Sequence, residues 1–262
     1  MTVEQALRTS GIDAREARLL LAAATGFSEA SVLAHPERVL PAEIEKAFEQ
    51  MAARRAAGEP VAYILGHKEF YGLELAVNPA VLIPRPETEL LVDLALAREP
   101  KSVLDVGTGS GAIALAIKRH RPQVRVVATD ASAAALEVAR RNAVRFNLEI
   151  ELRHGRWFEP VAGERFEAII SNPPYVVIGD PHLAALPYEP RIALLGGADG
   201  LDGFRVLARE APAHLLPGGW LLVEHGEGQH EAVRGLLEAA GLETTASWPD
   251  LAGIPRVSGG KL

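Results

Sequence analysis

Apolar residues recur every third or fourth position through the first 58 residues, the spacing of helices that each bury one face. Thr2 with Gln5, and Asp13 with Glu16, place a side-chain acceptor three residues before a Gln or Glu, the pairing that opens a helix. The second pair leads into Ala17, Leu19, Leu20, Leu21 and Ala24, with Gly26 as the stop. Ser28 is placed to cap a short helix ending near His35-Pro36. A longer helix is expected over 41–57, with Pro41 in its first turn, Ile44, Ala47, Phe48 and Met51 on one face, and Gly58 beyond. Acidic and basic residues intersperse on the polar positions, and no cluster suited to chemistry occurs. Residues 1–58 are therefore expected to form a small helical docking domain.

From Pro60 the period shortens. Residues 61–65 and 68–77 read as short strands, with Gly66-His67 and Tyr71-Gly72 as turns, so 59–78 is expected to be a β-hairpin linker. Ile83-Pro84-Arg85-Pro86-Glu87-Thr88, stiffened by prolines, leads into a helix with Leu90, Leu91, Leu94 and Ala95 inward. Arg85 and Glu87 suit a salt bridge or a helix cap as well as a functional role. Buried strands and helices then alternate: strands at 102–106, 124–129, 150–153, 166–171 and 218–224, helices at 112–119, 132–146, 204–215 and 228–240. Two closing strands near 242–247 and 256–260 have a connection short enough for an antiparallel hairpin. This is the pattern of an α/β domain, expected over 79–262.

Composition narrows the partners. The 262-residue chain carries a net charge of −7, the wrong sign for gripping nucleic acid through its overall field. It has no cysteine, which removes disulfides, thiolate metal sites and a cysteine nucleophile. The first residues lack a basic segment followed by an apolar core, and no apolar run approaches the ~20 residues of a membrane span. A cytoplasmic protein without direct nucleic-acid or membrane binding is expected, and no histidine spacing suggests a metal.

The candidate chemistry lies at strand ends. Gly107-Thr108-Gly109-Ser110-Gly111 follows the strand at 102–106 and opens a helix; glycines let a backbone pass close to a ligand. The spacing is G-x-G-x-G, not the G-x-G-x-x-G of dinucleotide enzymes. Asp130, about 20 residues on at the tip of the next strand, is placed to hold ribose hydroxyls. Trp157 suits stacking on an adenine or ordinary packing. Asn172-Pro173-Pro174-Tyr175 ends the strand at 166–171, where two prolines cannot donate to a ladder and leave a stiff rim. It offers a side-chain amide, a carbonyl free of ladder pairing and an aromatic face, a set suited to a flat NH2 group.

Together these segments, with GEPVAYILGHKEFYGLELAV, LIPRPETELLV, LDVGTGSGAIALA, SNPPYV, EPRIALLGGADGL and DLAGIPRV, resemble the HemK/PrmC family of protein-glutamine methyltransferases that act on peptide chain release factors. The match covers roughly residues 58–262 closely and the helical segment in general form. The resemblance implies a class I S-adenosylmethionine-dependent methyltransferase fold: a Rossmann-like seven-stranded sheet with its last strand antiparallel, preceded by a helical bundle and a hairpin. It implies S-adenosylmethionine as cofactor, S-adenosylhomocysteine as product, and the glutamine of a Gly-Gly-Gln motif as substrate. Gly107, Thr108, Gly109, Ser110, Gly111, Asp130, Trp157 and Asn172 would line the cofactor; Asn172, Pro173, Pro174 and Tyr175 would hold the glutamine amide. Asn-Pro-Pro-Tyr is shared with adenine-N6 methyltransferases of nucleic acids, so these and a ribosomal-protein glutamine methyltransferase are the rival enzymes. A cofactor-sensing docking module is the non-enzymatic rival.

Overall fold

Side-chain caps start the first helices of the computed structural model, which describes residues 1–262. Thr2 accepts from the Gln5 backbone while the Gln5 side chain accepts from the Thr2 N–H, a complete reciprocal cap on α1 (Val3–Thr9). Asp13 accepts from the N–H groups of Arg15 and Glu16 to open α2 (Ala14–Thr25), and Gly26 closes it in the left-handed conformation. Ser28 caps α3 (Glu29–Ala34), and Pro41 stands at the N-cap of α4 (Ala42–Ala56). The chain separates into two units, Met1–His67 and Lys68–Leu262. In the first, Leu20, Leu21, Val32 and Phe48 form the buried centre, and Arg55 pairs with Glu16 at 2.7 Å.

One element differs from expectation. Residues 61–65, expected as a strand, form the short helix α5 (Val61–Leu65). Pro60 presets the N-cap backbone, and Gly66 stops the helix in the left-handed region with its N–H on the Ala62 carbonyl. Burial of Tyr63 and Ile64 outweighs the β-branched composition that suggested a strand. The hairpin is confined to β1 (His67–Phe70) and β2 (Leu73–Ala76), joined through Tyr71 and Gly72, both with positive φ as a two-residue hairpin turn requires.

The second unit continues through α6 (Glu89–Leu96), β3 (Ser102–Val106), α7 (Ala112–His120), β4 (Arg125–Asp130), α8 (Ala133–Phe146), β5 (Glu151–His154), β6 (Phe166–Ser171), α9 (Asp202–His214), β7 (Leu215–Glu224), α10 (His230–Ala239), β8 (Glu243–Pro249) and β9 (Pro255–Lys261). Seven strands form one sheet in the order β5-β4-β3-β6-β7-β9-β8, and β9 alone runs opposite to the other six. The central strands read as unbroken apolar runs because helices cover both faces. On β6, Ala168 and Ile170 join the layer containing Leu115 and Ile117, while Ile169 packs with Phe204 and Leu207 on the other side. Strand order reverses beside β3, since β4 lies on one side and β6 on the other. That reversal opens a crevice at the carboxyl ends of the strands.

Asn142 on α8 holds the glycine-bearing loop to the hairpin. It is fully buried; its Nδ2 donates to the carbonyls of Ser110 (2.9 Å) and Ala76 (3.0 Å), and its Oδ1 accepts from the Ala76 N–H (2.7 Å). Replacing it with Leu strands one buried donor and two acceptors. Asn142→Leu is expected to cost on the order of 3 kcal/mol in urea unfolding, more than a typical surface change.

Candidate active site

Strand register brings the candidate residues together. Thr129 pairs with Val106, Val106 with Ser171, and Ser171 with Val223, one row across four parallel strands. The next residue on each strand path is Asp130, Gly107, Asn172 or Glu224. A cavity of about 530 Å³ opens over this row, within the range of small-molecule sites. Gly107 to Ser110, Asp130, Trp157 and Asn172 to Pro174 all line it.

The glycine loop is tied down before any ligand arrives. The N–H groups of Gly107 and Thr108 both donate to the Thr129 carbonyl, and the Gly109 N–H donates to Asp130 Oδ2 at 2.9 Å. Asp130 Oδ1 accepts from the Ser132 N–H at 2.8 Å, so both of its oxygens are oriented by backbone. Burial raises the Asp130 pKa, and these two N–H groups and His154 oppose the rise. Asp105, fully buried on β3, accepts from the Thr108 hydroxyl at 2.6 Å; burial pushes it up to about 7. Gly111 adopts φ +83°, and a Cβ there would lie 3.1 Å from Leu115 Cδ1 and 3.3 Å from Ala139 Cβ. It lets α8 approach α7. At Gly107 and Gly109 a Cβ would meet nothing within 4 Å, so the loop keeps an open side.

Trp157 also has positive φ, and its carbonyl accepts from the Thr129 hydroxyl at 3.3 Å. A Cβ on Gly203 would lie 3.1 Å from both the Trp157 ring and Pro173 Cβ, so a glycine in α9 lets the indole close on the Pro-Pro tip.

Asn172 is held from behind. Its Nδ2 donates to Glu224 Oε1 at 2.9 Å and lies 3.4 Å from the Thr88 hydroxyl. Its Oδ1 and the Pro173 carbonyl receive no hydrogen bond from the protein. Tyr175 departs from the sequence expectation: its side chain does not line the cavity but packs against the core layer of β7 and α10. After Pro174 the backbone bridges Val176 to Leu195, and Gln229 Nε2 donates to the Tyr175 carbonyl at 3.2 Å, which turns the ring toward Gly226. Burial, with Glu224 adding, pushes its hydroxyl up to about 12.

One participant escaped sequence reasoning, and a second, Glu189 in the family-like segment EPRIALLGGADGL, had no chemical role assigned from its residues. Glu224 is fully buried and pushed up to about 7 by burial; a lone acid closing the apolar run Trp220–Val223 was its only signal. Glu189 is also buried, accepts from the Ile83 N–H at 3.1 Å and pairs with Arg85. It thereby joins two wall segments over a hundred residues apart in the chain, a contact no local pattern encodes.

Two family models match the chain: the PrmC N-terminal domain over residues 2–66 and the Methyltransferase small domain over residues 86–185. The release factor glutamine methyltransferase of Xylella fastidiosa (strain Temecula1) is 48% identical, over 98% of this chain and 96% of its own. That of Bordetella pertussis is 49% identical, over 98% of this chain and 97% of its own. A methyltransferase crystal structure from Pyrococcus furiosus shares the fold, with a TM-score of 0.57 and 21% identity over 81% of this chain and 98% of that one. Near-complete coverage at almost half identity leaves one conclusion: the chain belongs to the release factor glutamine methyltransferase family.

Proposed function

We propose that this chain transfers the methyl group of S-adenosylmethionine to the side-chain amide nitrogen (N5) of the glutamine in the Gly-Gly-Gln motif of peptide chain release factors. Asn172 carries the reading: its NH2 end is engaged by Glu224, so its Oδ1 is left at a cavity beside the glycine loop. The residues present fit the cofactor. Asp130 keeps lone pairs for ribose hydroxyls beyond those used by backbone, and Trp157 supplies an aromatic plane for adenine. Gly107 to Ser110 line the cavity and offer an open side for methionine and ribose, while Gly111 packs against Leu115 and Ala139 behind them.

S-Adenosylmethionine, when bound, supplies a methyl group already activated by its sulfonium charge. The chain's own task is alignment. An amide nitrogen is a poor nucleophile because its lone pair is delocalised into the carbonyl, and no side chain at this site deprotonates so weak an acid. Asn172 Oδ1 and the Pro173 carbonyl accept the two N–H bonds of the glutamine, turn its lone pair toward the methyl, and bind more strongly as positive charge grows on nitrogen. Positioning of this kind supplies up to roughly 7–11 kcal/mol. The proton leaves to water after transfer. Tyr175 acts from behind as packing for the Pro-Pro tip. An adenine acceptor is the weaker reading, since a net charge of −7 opposes a phosphate backbone.

We assign the helical unit Met1–His67 to docking the release factor, and the reaction to the cytoplasm. It exposes Leu33 and Val39, and stacks Arg38 over Phe27 at 4.5 Å.

Asn172→Ala is expected to lower kcat by roughly 10²–10³-fold with cofactor affinity nearly unchanged, the scale for losing one preorganised polar contact. Equal loss in turnover and in cofactor titration contradicts this assignment. Asp130→Ala should instead weaken cofactor binding by roughly 10- to 100-fold in calorimetry, the range for hydrogen bonds to a charged group. Labelled methyl should appear on a release factor and not on its variant with the Gly-Gly-Gln glutamine replaced; equal labelling of both removes the target. Leu33→Glu combined with Val39→Glu should raise KM for the intact release factor and leave cofactor binding unchanged.

A further inference from the structure

A primary amide has two ends of nearly equal size, and its neighbours choose which one faces a ligand. At Asn172 the choice is made by Glu224 Oε1 at 2.9 Å, with the Thr88 hydroxyl at 3.4 Å. We propose that Glu224 is a positioning residue that fixes the polarity of the Asn172 amide, making the site a receptor for an N–H donor and not for an acceptor such as a carboxylate. The inference rests on the amide-methylation reading above and adds to it the group that sets substrate chemistry.

The geometry allows little else. An ionised carboxylate only accepts hydrogen bonds, so reversing the amide would set Oδ1 against Oε1, two acceptors in contact. A protonated Glu224 can either accept from Nδ2 as before or donate to Oδ1. In the second arrangement the amide turns its NH2 toward the glutamine NH2, and donor meets donor. Only the ionised carboxylate excludes that reversed amide, so protonation weakens the site's polarity.

The groups around it hold that ionisation in an accessible range. Glu87, in the turn before α6, disfavours the charge; the Thr88 hydroxyl, Arg256 of β9 and the Asn172 amide favour it, against burial as the largest effect. The Tyr175 hydroxyl senses the same charge from the strand tip, where Arg85 and Arg256 act on it as well. His225, next along the chain, places Nε2 2.9 Å from the Ser258 hydroxyl. Glu224 Oε2 has no hydrogen-bond partner although it is buried. A carboxylate kept dry with one oxygen unpaired is costly to stability, and orientation of Asn172 offsets that cost in function.

The test uses the full-length enzyme, a purified release factor and labelled S-adenosylmethionine from about pH 5.5 to pH 9, across the range set by the raised carboxyl. Wild-type kcat is expected to fall as pH drops through about 7. In Glu224→Gln the side chain can meet either end of the amide. Its kcat should be lower by roughly 10- to 100-fold, the range for residues that orient a contacting group, and flat across the same window with cofactor affinity unchanged. Thermal unfolding reports folding independently. A raised carboxyl pKa costs native stability as pH rises above the unfolded value and through the folded one, so the Tm advantage of Glu224→Gln should open toward alkaline pH and close toward acid.

Nitrogen-15 NMR of the Asn172 amide reads the contact without activity: its shift should titrate with pH in the wild type and not in Glu224→Gln. An Asn172 resonance insensitive to pH, or a Glu224→Gln enzyme with wild-type kcat and pH profile, overturns the inference while leaving glutamine methylation intact. If wild-type enzyme transfers no label to the release factor, the methylation reading falls and the substrate-polarity assignment falls with it. The NMR titration then still decides whether Glu224 holds the amide.

Discussion

Register across the parallel strands is the constraint on which the site depends. Thr129, Val106, Ser171 and Val223 pair in one row, so the chain paths of β4, β3, β6 and β7 lead out of the sheet at a common level. Each next residue is polar or glycine: Asp130, Gly107, Asn172 and Glu224. The ladder places these four side by side although they are spread over more than a hundred residues of chain. A slip of one residue in β6 would turn its inward and outward faces over and carry Asn172 away from both the glycine loop and Glu224. The two prolines enforce the stop, because neither can donate to a continued ladder.

Around that row the protein concentrates negative charge and then restrains it. Asp105, Asp130 and Glu224 all have their pKa values raised by burial, and each is met by donors: the Thr108 hydroxyl, the Gly109 and Ser132 N–H groups, and the Asn172 amide. The restraint is mutual. Asp130 fixes the glycine loop as the loop orients Asp130, and Glu224 orients Asn172 as Asn172 partly satisfies Glu224. Such pairs keep side chains in one geometry before a ligand binds, which is what an alignment mechanism requires. Asn142 and Glu189 extend the same logic to the walls, tying the loop to the hairpin and Ile83 and Arg85 to the opposite rim.

Much of this was legible in the chain. The caps at Thr2, Asp13 and Ser28, the stop at Gly26 and the β–α alternation with a closing antiparallel pair all appear as expected, because each depends on neighbours within a few residues. Residues 61–65 were misread because a five-residue apolar run has no period long enough to separate helix from strand, and packing of Tyr63 and Ile64 decided it. The glycine loop, Asp130 and the Pro-Pro tip were recognisable since their chemistry is written in residue type and spacing. The direction of the Tyr175 ring was not, because it follows from the bridge between Val176 and Leu195.

By itself, then, the sequence determined the elements other than 61–65, their order, the family and the chemical groups available at the strand tips, since these rest on local propensity, spacing and residue type. Only the tertiary structure decided which end of Asn172 meets the cavity. That depends on Glu224, 52 residues away, and on Thr88, 84 residues away, reaching one amide across the sheet. Hydrogen-bond polarity at a buried side chain is set by whatever atoms the fold brings within three ångströms or so, and no local pattern carries that information.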